Sequence, residues 1–353
     1  MNSKLLIARI GNKKMKNFLV DLDYENYLFD QNYEFNNDFY KKIRESFEFV
    51  YFIINKDPDS TLVSNINYSA KYLKSLKDEG FCIPKISNGQ KDVHYWWGRR
   101  KDKLLEEMLN SKITSAKIAI ANNWGMFNGI LSQSAEEIQK HIEHHSSINE
   151  WIIKRPTSFS GIGHTFFNRE KATLEFLNKV VGQDLVLIEP AHKRVLDIGT
   201  TFVVEEGEIK KMFMVENINS DKGRFRGAKA SYSHEIFKTL MKRDYNLNLE
   251  CLEEITKKIA EIYLLKGAQT NIQIDSFFYE ENGEVKLYPL VEVNCRKTMG
   301  LVAQSLADHH PKNRYIEWKI LTQKEITEFK IDLSEWKLIS PEGLVFKSYY
   351  RAY

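Results

Sequence analysis

Two runs of alternating apolar and polar residues, 271–281 and 284–296, flank Asn282-Gly283 in the last third of the chain. Both runs are rich in β-branched and aromatic residues, and Asn-Gly between such runs is the strongest short hairpin signal a sequence carries. A two-residue turn there pairs Glu281 with Glu284. The register that follows sets Gln273 opposite Glu292, Asp275 opposite Leu290 and Asn271 opposite Asn294. Side chains alternate along a strand, so Gln273, Asp275, Glu292, Asn294 and Arg296 share one face. Asp275 and Glu292 become diagonal neighbours about 7–8 Å apart. Pro289 marks the second run as an edge strand, or as one that pairs fully only beyond that residue. A bulge would shift the register.

Elsewhere the pattern alternates between strand and helix. Residues 5–10, 18–20 and 49–54 are short apolar runs that read as strands, and 67–77 reads as a helix stopping at Gly80. This alternation predicts an α/β unit with a parallel sheet. Residues 101–108 open a further helix, and 134–145 is helical. Residues 151–153 form a buried-type strand that ends in Lys154-Arg155-Pro156, followed by a small-residue loop at 157–164. A helix near 170–180 leads to the apolar run 184–189, which ends in Glu189 and is followed by Pro190-Ala191-His192. Strands at 200–204 and 212–215, a basic loop at 223–229 and a helix at 252–266 ending at Gly267 complete the pattern.

The chain has 353 residues, enough for two or three domains and a sizeable core. A net charge of +3 gives no ground for nucleic-acid or anionic-membrane binding, and no apolar run approaches a membrane span. Cys82, Cys251 and Cys295 are odd in number and far apart, which indicates neither a disulfide framework nor a zinc site. The N-terminal residues lack a signal-peptide core, so the expected setting is cytoplasmic.

Carboxylates gathered on one strand face repel each other, an arrangement poor for stability but suited to a hard cation between oxygen ligands. A solvated acidic face would produce the same pattern. Glycines near a strand end let backbone amides approach a phosphate, which makes Ser160, Gly161 and Gly163 candidates beside Lys154 or Arg155. Strand alternation lets only one of those two cations enter a cleft; Lys154 is preferred. His141, His144 and His145 read as a solvated helix end. Trp151, Trp318 and Trp336 read as packing residues.

Asp275 followed by Glu292-Val293-Asn294-Cys295-Arg296 resembles the metal-binding end of the ATP-grasp ligases, in the E-x-N-x-R form of the biotin carboxylase and carbamoyl-phosphate synthetase branch. Asp102-Lys103, the Lys154/Arg155 strand with its glycine loop, and the Glu189 strand end are similar to other parts of that family, in family order, over 102–296. The resemblance implies an ATP-grasp fold, α/β with an α+β C-terminal half. Its expected parts are an N-terminal α/β domain (1–112), a central lid subdomain (113–190) and a C-terminal subdomain carrying the hairpin (191–353).

It further implies Mg²⁺ (Mn²⁺ being an acceptable substitute) on Asp275, Glu292 and Asn294. ATP phosphates go to Lys103, Lys154 or Arg155, Ser160, Gly161 and Gly163. Adenine goes to Glu189, Pro190 and Ala191, and ribose to Asp197. Lys154 and Arg296 are the expected catalytic cations. Arg224, Arg226, Arg296, Thr298 and Gly300 are the expected substrate contacts. The implied activity is carboxylate–amine ligation through an acylphosphate, on small-molecule or peptide substrates, with a homodimer allowed for. Gln273 stands where many family members carry Arg or Lys two residues before the first metal carboxylate. It favours the alternative of a non-catalytic, regulatory ATP-binding protein; an ATP-grasp kinase is the third reading.

Overall fold

The computed structural model describes residues 16–89, 92–156, 164–220, 223–328 and 330–353. The expected strand at 5–10 lies outside them. Three sheets carry the architecture. The first is a four-stranded parallel sheet in the order Lys85–Ser87, Thr61–Val63, Asn17–Leu19, Val93–Tyr95. The second is antiparallel, in the order Ile130–Ser132, Val186–Pro190, Glu150–Lys154, His164–Asn168. Helices Ala135–His144 and Leu174–Val181 close its core around Ile138, Trp151 and Leu177.

The third sheet has eight antiparallel strands. Its order begins with the hairpin strands Glu284–Asn294 and Ile272–Glu281, continues through Lys193–Glu205, Glu208–Asn219, Phe225–Ala230 and Ile316–Thr322, and ends with Phe346–Ala352 and Lys337–Leu338. Glu284–Asn294 is an edge strand, as Pro289 implied.

Residues 49–54, expected as a strand, fold instead as the helix Val50–Ile54. A short apolar run carries no period that separates a buried helix from a strand, and this one is buried all round: Val50, Tyr51, Phe52 and Ile53 are each 3% exposed or less. The same cluster takes in Val302, Ala303, Leu306 and Trp318, so the first and third sheets share a core. The helices Lys103–Asn110 and Lys112–Asn122 are separated by Ser111 alone, and both pack into the cluster of the third sheet, beside Ile272, Leu290 and Val293. Among the described residues no helix is long and apolar enough to cross a membrane.

Candidate active site

The hairpin turn forms as the sequence requires: Asn282 and Gly283 take φ of 54° and 80°, and Glu281 pairs with Glu284. The register then departs from expectation. Phe277 pairs with Tyr288, yet Asp275 pairs with Glu292 and Gln273 with Asn294, so the second strand carries two extra residues between them. Pro289 sits in that irregularity with no N–H to give, and its carbonyl accepts from Ser276 Oγ at 2.6 Å. Asp275 and Glu292 are therefore directly opposite rather than diagonal, which brings the two carboxylates closer than the unbroken register would.

Asp275 accepts from Gln273 Nε2 at 2.8 Å and from Asn294 Nδ2 at 3.0 Å. Burial pushes its carboxyl up to about 6, against the lowering effect of the Gln273 bond and of the Arg296 and Lys112 charges. Glu292 is ion-paired with Lys112. Lys112 opens its helix behind the Ser111 cap, and one turn on Ser115 Oγ accepts from Val293 N at 3.1 Å, which pins this helix face to the hairpin. Burial, and then the nearby Lys154 charge, pull the Lys112 ammonium down to about 7.

The opposite wall comes from the second sheet. Lys154, at the end of its strand and 4% exposed, is ion-paired with Glu189, which also accepts from Tyr288 Oη. Burial raises the Glu189 carboxyl, but the Lys154 charge and these two hydrogen bonds outweigh it and hold the group below its ordinary value. Tyr288 Oη in turn accepts from Met126 N at 2.5 Å. His164, which burial together with the Lys154 and Lys112 charges pushes down to about 3, stays neutral at the cleft wall. The buried Nε2 atoms of His164 and His192 have no hydrogen-bond partner among the described residues.

Gln273, Asp275, Glu292, Asn294, Lys112, Lys154, Glu189, His164 and His192 line one cleft of about 490 Å³ between the second and third sheets. Pro190, Ala191, Asp197, Thr298 and Gly300 line it too. Asp197 is paired with Arg194 at 2.6 Å. Thr298 Oγ1 donates to Gln273 Oε1, and a Cβ on Gly300 would stand 2.7 Å from that oxygen. Arg296 also faces the cleft. It is paired with Glu25, bonded to Asn294 Oδ1 at 3.0 Å, and its buried Nε has no hydrogen-bond partner among the described residues.

Several expected residues are not brought there. Arg155 turns outward to Asp184 at 3.2 Å and the Val180 carbonyl at 3.1 Å, because alternation gives the inward position to Lys154. Lys103 stays on the first turn of its helix, 3.7 Å from Glu107 and over the Tyr27 ring. Arg224 is exposed on its loop, and Arg226 pairs with Glu325 at 3.0 Å, away from the cleft lining. Ser160, Gly161 and Gly163 lie outside the described residues. Sequence reasoning missed Lys112 in the cleft lining, and Tyr288, which is buried behind it and donates to Glu189. Lys112 follows Ser111, a good helix cap, but nothing local separates it from Lys103.

No family model matches the chain, and no curated protein matches its sequence. Solved structures do match. The N5-carboxyaminoimidazole synthetase of Staphylococcus aureus superposes with a TM-score of 0.57 at 8% identity, over 96% of this chain and 93% of that one. The biotin carboxylase domain of the Hydrogenobacter thermophilus 2-oxoglutarate carboxylase, solved with MgADP, ADP and bicarbonate, gives 0.51 at 11% identity over 74% and 65%.

The chain has the ATP-grasp fold. The N5-carboxyaminoimidazole ribonucleotide synthetase of Thermus thermophilus gives 0.50 at 11% identity over 96% and 94%. At such identities the likeness speaks for the ATP-grasp architecture alone; the chemistry has to come from the cleft.

Proposed function

We propose that this ATP-grasp chain is an ATP-dependent carboxylate–amine ligase, which makes an amide or peptide bond through an acylphosphate and releases ADP and phosphate. The observation that carries this reading is the direct facing of Asp275 and Glu292, with Asn294 bonded to Asp275, in the cleft that also receives Lys112, Lys154 and Arg296.

Two carboxylates are a hard donor set that fits Mg²⁺, which completes its shell with phosphate oxygens and water; the Asn294 amide, whose Nδ2 here donates to Asp275 and whose Oδ1 accepts from Arg296, would join them on turning its oxygen to the ion. Asp275, Glu292 and Asn294 would hold it. Bound there, it would neutralise phosphate charge and help align the terminal phosphoryl group.

The chain supplies position and charge. Lys154 and Lys112 meet the ATP phosphates, the Glu189–Ala191 segment meets the base, and Asp197 is the acid for the ribose. A free carboxylate resists amines because its leaving group would be oxide. One carboxylate oxygen instead attacks the γ-phosphorus, the bond to the β–γ bridging oxygen breaks, and ADP leaves. The amine lone pair then attacks the acyl carbon, the C–O bond to phosphate breaks, and phosphate leaves with those electrons and takes up the proton that the nitrogen gives up. Arg296, with its free Nε, takes the charge on the acylphosphate, and Thr298 and Gly300 shape the substrate end. Substrates are small-molecule or peptide carboxylates and amines.

ADP release against a panel of amino acids and peptides tests this, with Glu292→Ala as control. Mg²⁺-dependent turnover is expected in the native chain and not in the variant; equal turnover in both contradicts the assignment. Gln273 favours a second reading, a nucleotide-binding protein without turnover. It is buried against Asp275, Thr298 and Thr201, and brings no cation to the position it fills. ADP release that depends on both a carboxylate and an amine separates the two.

A further inference from the structure

Arg296 lines the cleft, and the next residue, Lys297, lines a separate groove of about 630 Å³ that shares no lining residue with it. The groove runs between the N-terminal region and the eight-stranded sheet. Ile54, Val203, Phe213 and Leu301 give it apolar surface. Six cations line it, Lys56, Arg99, Lys101, Lys210, Lys211 and Lys297, against two carboxylates, Glu205 and Asp308.

Two of the six are matched: Lys211 by Asp308 at 3.2 Å, and Lys210 by Glu208. Lys56, Arg99, Lys101 and Lys297 make no ion pair with a described residue. Arg99 is oriented by the Gln269 carbonyl at 3.0 Å. The Lys297 ammonium is oriented by the Trp96 carbonyl at 2.6 Å and lies 4.9 Å from the centre of the Trp96 ring. Burial pulls Lys297 down to about 8, and the Asp21 charge, itself spent on Arg100, opposes that only in part.

A solvated lysine face spreads its cations over a convex surface among acids. Here four unmatched cations border one concavity, where low-dielectric walls concentrate their field on an incoming anion. Thr270, Asn271 and Ser305 add neutral hydrogen-bonding groups. Volume, apolar surface and a few convergent polar groups are those of a small-molecule site, whose usual range is roughly 300–1,000 Å³. We propose that this groove binds a small phosphorylated molecule, with its phosphate on Lys56, Arg99, Lys101 and Lys297 and its organic part against Phe213 and Leu301. The site is independent of the ligase reading and lies one residue from Arg296.

Titration calorimetry with two phosphomonoester probes, glycerol 3-phosphate and glucose 6-phosphate, neither of which carries the triphosphate proposed for the cleft, tests the proposal on the full chain. Saturable binding is expected, weakened at least tenfold in the Lys56→Glu/Lys101→Glu double variant and unchanged in the cleft variant Lys112→Met. Both lysines are exposed, and the single neutral variants Lys56→Gln and Lys101→Gln, each expected to weaken binding about threefold, repeat the test without charge reversal. No saturable binding of either probe overturns the proposal. Equal binding in the native chain and the lysine variants, or loss in Lys112→Met alone, overturns it as well, the last by placing the anion in the cleft.

Discussion

Glu48 is a carboxylate that the N-terminal core holds at a cost. It is 5% exposed, and Tyr68 Oη donates to it at 2.9 Å. Burial pushes its pKa from 4.5 to about 7, against the hydrogen bonds from Ser64 and Tyr68; the Glu45 charge adds to the rise and Arg44 opposes it. A folded-state pKa above the unfolded one means that the native chain binds the extra proton. Stability from this group is therefore full below about pH 4.5 and is lost as pH rises towards 7. At 1.36 kcal/mol per unit, the loss is about 3 kcal/mol, of which about 2.5 falls between pH 5 and pH 8. Glu48→Gln keeps the shape and the Tyr68 contact and removes the titration. Urea unfolding of both proteins at the two pH values should show the variant gaining about 2.5 kcal/mol on the native chain as pH rises. A variant that gains nothing on the native chain between the two pH values, or that loses ground to it, would refute the reasoning.

Lys112→Met removes a cation from the phosphate wall. A charge-assisted hydrogen bond contributes about 1.5–3 kcal/mol, so the Kd for MgADP by calorimetry should rise roughly ten- to hundredfold. Melting temperature without nucleotide should fall, because Glu292 loses its partner beside Asp275; an unchanged Kd would remove Lys112 from the site. Gly227 sits at φ +152°, and a Cβ there would stand 2.0 Å from the Trp318 carbonyl oxygen. Gly227→Ala should therefore cost about 2–5 kcal/mol in urea unfolding, and a loss under about 1 kcal/mol would contradict this strand pairing.

What was legible in the chain followed from local chemistry. Asn282-Gly283 specifies its turn through backbone φ alone, and Lys154, Glu189, Asp275, Glu292 and Asn294 meet in one cleft as their strand positions imply. The bulge around Pro289 was not legible in position, because where a ladder slips depends on which carbonyl finds a donor, here Ser276 Oγ. It changed the outcome by setting Asp275 opposite Glu292. Lys103 and Lys112 look alike in sequence; Ser115 bonding to the hairpin, a contact 178 residues distant, decides that Lys112 enters. Arg226 reads as a free cation until Glu325 folds beside it. Residues 49–54 failed as a strand because burial on all sides erases periodicity.

A crystal structure with Mn²⁺ and a non-hydrolysable ATP analogue tests the site most directly. Anomalous density should mark the metal between Asp275, Glu292 and Asn294, with the triphosphate reaching Lys112 and Lys154 and the base beside Glu189–Ala191. Nucleotide bound elsewhere, or metal with no contact to that trio, would contradict the account.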